Sequence, residues 1–168
     1  VPGLSYWERG EKLHNVNAPL PMNLDSLVPF PNWDIVAGWK DNPLLSINTR
    51  RGCPFDCDFC TVWVFNGRRV RHHSPEYVEE LLKMAKKRGT KYIFFNDDIF
   101  NLPREYALQI CDVAARVLPE ARKNGQFRWE TAKDDQLLTE LKRANFENVC
   151  IGVESFDNEV LRAMRKKE

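Results

Sequence analysis

No run of about 18 apolar residues occurs in the chain, so nothing in it reads as a helix that crosses a membrane. Charge of neither sign is in excess: 25 Lys and Arg face 24 Asp and Glu, and a net charge of +1 gives no sign of a nucleic-acid or membrane partner. A Gly-rich phosphate loop is missing after the first apolar strand, which argues against a dinucleotide-binding fold. Paired, dispersed cysteines are missing too. The five present are an odd number, they are not spread as a scaffold, and no signal peptide points to an oxidising compartment. A reducing, cytoplasmic setting is therefore expected rather than a disulfide framework. What the 168 residues do have, 43% hydrophobic and 29% charged, is the balance of one globular domain.

Three of the cysteines crowd into Arg51-Gly52-Cys53-Pro54-Phe55-Asp56-Cys57-Asp58-Phe59-Cys60, a CxxxCxxC spacing. It supplies three thiolates where a closed tetrahedral metal site needs four. An iron-sulfur cluster held by three cysteines leaves one iron open to something that is not protein, whereas a structural zinc or an electron-carrying cluster completes its shell. A zinc site that takes His72 or His73 as fourth ligand, in a metal-stabilised binding module, is the alternative reading. Cys111 falls in an apolar helical pattern and Cys150 in an apolar strand, so both read as small core residues.

Residues 1 to 43 carry six of the ten prolines and no sustained helical or alternating period, and read as an extended lead-in. The chain opens on Val1 and stops at Lys166-Lys167-Glu168 within a helical pattern, which reads as a fragment. From residue 44 onward strand-like runs alternate with amphipathic helices, the pattern of βα units and a parallel sheet. The expected strands are 44–49, 91–96, 126–131 and 148–153. One helix starts at Ser74-Pro75-Glu76, buries Val78, Leu81, Leu82 and Ala85, and ends at Gly89. A second runs from about Pro103 with Ala107, Ile110, Cys111, Ala114 and Leu118 inward, and is closed by Pro119 or Gly125. A third is capped by Asp134 with Leu137, Leu138 and Leu141 inward, and Asp157 opens a last one. Four such units favour a barrel-type sheet over a dinucleotide-binding one.

In parallel βα folds ligands bind at the carboxyl ends of strands. Cys53 lies there, in a loop too long for a connector. So do Asp97 and Asp98, two acids where a helix N-terminus calls for at most one, and Glu130, Glu154 and Ser155. Loop histidines such as His72 and His73, with no visible partner, read as neither ligands nor proton donors.

Cys53, Cys57 and Cys60, with Phe59 before the last, resemble the signature of the radical S-adenosylmethionine (SAM) superfamily. That resemblance implies a [4Fe-4S] cluster on the three cysteines. Its open iron is chelated by the methionine moiety of SAM, and one electron cleaves the sulfonium to release a 5'-deoxyadenosyl radical. It implies a partial (β/α) barrel of six βα units, of which residues 44–168 are the first four, so that one sheet edge is exposed, and an electron donor such as flavodoxin or ferredoxin. It assigns Asp97 or Asp98 to the SAM ammonium, Glu154 and Ser155 to its ribose or carboxylate, and Phe59 to cluster or adenine; Glu130 is a candidate for ribose hydroxyls. The stretch from Asn23 to Asp34 resembles the connector after a cobalamin-binding domain, and Asp97-Asp98-Ile99-Phe100 resembles the cobalamin-associated version of the second-strand motif. Both imply cobalamin held by an upstream domain, and cobalamin-dependent methyl transfer. The substrate is not legible.

Overall fold

The computed structural model describes residues 1–26, 30–38 and 41–166. Leu27, Val28 and Pro29 of the proline-rich stretch, and Lys167 and Glu168, lie outside the described residues. The lead-in is not wholly extended: β1 (Ser5–Glu8) and β2 (Glu11–His14) pair as an antiparallel hairpin, and a 3-10 turn covers Trp33–Ile35. The core follows as β3 (Leu44–Ile47), β4 (Arg50–Arg51), α1 (Val62–Phe65), β5 (Arg71–His72), α2 (Pro75–Lys87) and β6 (Tyr92–Phe95). After these come α3 (Arg104–Val117), β7 (Arg122–Phe127), α4 (Asp135–Arg143), β8 (Phe146–Ile151) and α5 (Asn158–Ala163).

Four strands form one parallel sheet in the order β3-β6-β7-β8. Each new strand adds on the same side, so there is no reversal of order and the crossover helices α2, α3 and α4 cover a single face. This is barrel winding, not the doubly wound alternative. On the helix side of the sheet Leu45, Ile47, Ile93, Phe95 and Phe127 meet Val78, Leu82, Ile110, Ala114, Leu137 and Leu141. Phe95, Phe100, Phe127 and Phe146 stack or meet edge to face, with neighbouring ring centroids 5.1–5.9 Å apart. The opposite, concave face presents Ser46, Gln126 and Cys150 exposed, so Cys150 is not the core residue its apolar neighbours suggested. Cys111 is buried, and burial pushes its thiol up to about 12.

The helix signals act as read. The Ser74 hydroxyl accepts from the Tyr77 amide, Pro75 opens the first turn, and Gly89 takes φ +73° just past the end of α2. The Asp134 carboxylate accepts from the Leu137 amide, but Leu138 is 38% exposed and not part of the buried stripe. The third strand lies four residues earlier than the pattern suggested. Residues 129–133 form a 3-10 turn, and Gly125, read as a helix terminator, sits inside β7. A Cβ there would come within 3.0 Å of the Phe127 ring. The fourth strand is likewise earlier by two residues, 146–151.

Candidate active site

The cysteine loop leaves β3 at the carboxyl edge of the sheet, and two neighbouring acids from the loop after β6 tie it down. Asp97 is fully buried. Its carboxylate accepts from the Thr49 amide (2.6 Å), the Thr49 hydroxyl (2.6 Å) and the Arg50 amide (3.1 Å), and it faces the Arg50 Nε at 3.4 Å. Arg50 is itself fully buried, with its guanidinium against the Phe100 and Tyr106 rings and Nη1 donating to the Leu102 carbonyl. Burial pushes the Asp97 carboxyl up while Arg50 and the three donors pull it down. Asp98 accepts from the Gly52 amide (2.7 Å) and from the Asn66 carboxamide. Asp97 thus holds residues 49 and 50, and Asp98 holds residue 52, immediately before the first cysteine.

Gly52 is required by close approach: at φ +99° an added Cβ would run into the Arg69 carbonyl. That crowding comes from the small antiparallel pair β4–β5, which folds the loop back on itself.

Cys53, Cys57 and Cys60 all line one cavity of about 430 Å³, together with Phe55, Phe59, Asp98, Gln126, Arg128, Cys150, Gly152, Glu154 and Lys166. Strand ends β6, β7 and β8 therefore contribute to the same space as the cysteine loop, and its size is ordinary for a small-ligand site. Burial, and then the two neighbouring thiols, push the Cys53 thiol up, against the pull of a Phe55 backbone hydrogen bond and the Arg128 charge. A cationic metal group would reverse that balance, because it favours the thiolate. Among the described residues no group of three or more His, Cys, Asp and Glu side chains converges as a single-ion site would demand. A cluster asks for less convergence, since each thiolate goes to a different iron.

Neither histidine is near. His73 is buried rather than an exposed loop residue, 2.8 Å from Asp25 and stacked on Tyr77, while His72 stacks on Tyr106. Of the other residues singled out from sequence, Phe59 is half exposed at the cavity wall, and Glu154 lines it with φ +64°, its carboxylate 3.3 Å from the Lys166 Nζ. Glu130 lies in the 3-10 turn, paired with the Arg128 Nε at 3.1 Å, and is outside the lining. Ser155 is also outside it, its hydroxyl accepting from the Asp157 amide at 3.0 Å. Phe55, Gln126, Arg128 and Lys166 line the cavity without having been singled out for it. Only Arg128 carried a sequence signal, a cation beside the third junction, and its guanidinium lies 3.8 Å from the Phe55 ring centroid.

The model for the Radical SAM superfamily matches residues 47–168. An uncharacterised methyltransferase of Pyrococcus horikoshii is 31% identical over 99% of the chain, and the hopanoid C-3 methylase of Methylococcus capsulatus 35% identical over 75% of it. The chain spans 37% and 24% of these relatives' lengths. Among solved structures, the cobalamin-dependent S-adenosylmethionine radical enzyme OxsB, with aqua-cobalamin and S-adenosylmethionine bound, superposes with a TM-score of 0.77 at 25% identity. That likeness covers all of this chain and 26% of OxsB. With its cysteine trio at the carboxyl edge of a partial barrel and a family match over most of its length, the chain belongs to the Radical SAM superfamily.

Proposed function

We propose that residues 44–166 are the cluster-binding part of a radical SAM enzyme that transfers a methyl group, with cobalamin held by a further domain joined through residues 1–43. The observation that carries this is the convergence of Cys53, Cys57 and Cys60 on one cavity walled by three strand ends. Methyl transfer is supported by the relatives' names, and cobalamin by what OxsB holds.

In this reading the three thiolates hold a [4Fe-4S] cluster, and when bound it supplies the electron that cleaves the SAM sulfonium. The protein orients and shields. Asp98, which faces the cavity, accepts from the SAM ammonium in a charge-assisted bond, while Asp97 keeps the loop in place. Glu154 takes ribose hydroxyls, and Phe55 and Phe59 keep water from the sulfurs. The electron comes from a small donor of the flavodoxin or ferredoxin type, in the cytoplasm.

Anaerobic reconstitution should yield brown protein with about four irons and four sulfides per chain, and SAM should alter its reduced-state spectrum. Cys57→Ala should lose iron and 5'-deoxyadenosine release together. A variant that still releases 5'-deoxyadenosine, or wild-type protein that binds one zinc and no iron, overturns the assignment.

A further inference from the structure

Arg128 follows directly on β7 and is held from three sides. Its amide donates to the Asn101 carboxamide oxygen at 3.0 Å, its Nε donates to the Glu130 carboxylate at 3.1 Å, and its Cζ lies 3.8 Å from the Phe55 ring centroid. Only 9% of the residue is exposed. Phe55 stands between Cys53 and Cys57, so this stack joins the end of β7 to the stretch that spaces the first two cysteines. Arginine suits the place because its guanidinium is planar, permanently charged and weakly hydrated. Lysine would carry the charge without the flat face.

The charge bears on the sulfurs as well. Against burial and the neighbouring Cys57 and Cys60, Arg128 pulls the Cys53 thiol towards the thiolate. The other charged residues in the lining of the cysteine cavity are Asp98, Glu154 and Lys166, so two acids stand there against two cations. Lys166 already faces Glu154 at 3.3 Å. Without Arg128 the lining is therefore net negative before the three thiolates are counted. One electron taken from the donor adds one negative charge to whatever the thiolates hold, and a net negative wall opposes that step. Glu130, outside the lining and 45% exposed, offsets the Arg128 charge only in part, because water screens it.

We infer that Arg128 is a positioning residue of the cluster site: its flat face keeps Phe55 in the cavity wall, and its charge raises the reduction potential at the three cysteines so that the donor's electron can enter. This rests on the reading above. Glu130, expected from the sequence to meet ribose hydroxyls, instead tunes that potential through Arg128.

The test is the midpoint potential of reconstituted protein without SAM, from an anaerobic redox titration followed by electron paramagnetic resonance. Arg128→Gln should favour the oxidised state about tenfold, a fall of about 59 mV for one electron. Arg128→Lys should recover most of that shift, since it restores the charge, yet lose iron to a chelator several-fold faster than wild type, since the flat face is gone. Glu130→Gln should move the potential the other way, upward. Equal shifts in Arg128→Gln and Arg128→Lys overturn the inference, as does an unchanged or lower potential in Glu130→Gln. That last variant alone decides the matter if Arg128→Gln fails to hold iron. A weaker SAM response in Arg128→Gln at an unchanged potential also overturns it, because the guanidinium would then serve the cofactor. Failure of the functional reading itself shows differently, as missing iron or a missing SAM response in wild-type protein.

Discussion

Asp97 and Asp98 are chemically the same residue one position apart, yet they do different work because successive side chains leave the backbone in different directions. Asp97 turns into the protein and meets three hydrogen-bond donors and the Arg50 guanidinium; Asp98 turns to the space beneath the cysteines. Asp97→Asn is isosteric but leaves the Arg50 guanidinium buried without a counter-charge, and should cost about 3–5 kcal/mol in urea unfolding. A loss below about 1 kcal/mol would mean that Arg50 finds another partner. The doubled acid stood out on the sequence, since no helix start needs two. Which acid faces the cysteine cavity was not legible, because only the packing of Phe100 and Tyr106 around Arg50 fixes the inward direction. Glu130 and Ser155 show another limit: each was read as ending a strand, yet β7 stops at Phe127 and β8 at Ile151, and both side chains are held elsewhere.

The crossover helices α2, α3 and α4 start close to where they were read, because caps and apolar stripes are local signals. Helix α1 was not read, and α5 stops at Ala163, short of the helical pattern that was read to the end of the chain. Leu138 marks the resolution of that method. Neighbouring leucines lie 100° apart on a helix, so Leu137 is 1% exposed and Leu138 is 38% exposed. Leu137→Ala should cost about 2–5 kcal/mol in thermal or urea unfolding, and Leu138→Ala less than about 1 kcal/mol. Equal costs would contradict the placement of α4. Strand β7 was misplaced for the converse reason. Its sequence, Arg-Lys-Asn-Gly-Gln-Phe, looks polar, yet Lys123 is fully buried with its ammonium donating to the Leu118 and Ala121 carbonyls. Asn124 and Gln126 alternate with the buried Lys123, Gly125 and Phe127 and face the concave side, away from the apolar core. Apolar periodicity cannot report a strand whose buried lysine caps a helix and whose other face lies outside the apolar core.

At the scale of the whole molecule, the lead-in is fastened to the core through Asp25, which meets the His73 ring and the Ser74 amide at the start of α2. Burial lowers the His73 pKa below the usual 6.5, outweighing the pull of Asp25 in the other direction. As pH falls through about 6.5 the unfolded chain takes up a proton that the folded one resists, so stability present above that pH is lost on acidification. The unfolding temperature should fall between about pH 7 and pH 5, and the fall should be smaller in His73→Phe, which keeps the stack on Tyr77. An identical slope in the variant would remove His73 from the account. By itself the sequence determined the cluster motif, the α/β alternation and the helix ends, because each depends on residues within a turn or two of one another. Only the tertiary structure decided that three strand ends and the cysteine loop enclose one cavity, and that Asp97 secures that loop while Asp98 faces the cavity. Those relations join residues dozens of positions apart, and burial and charge at such distances are set by how the sheet is wound.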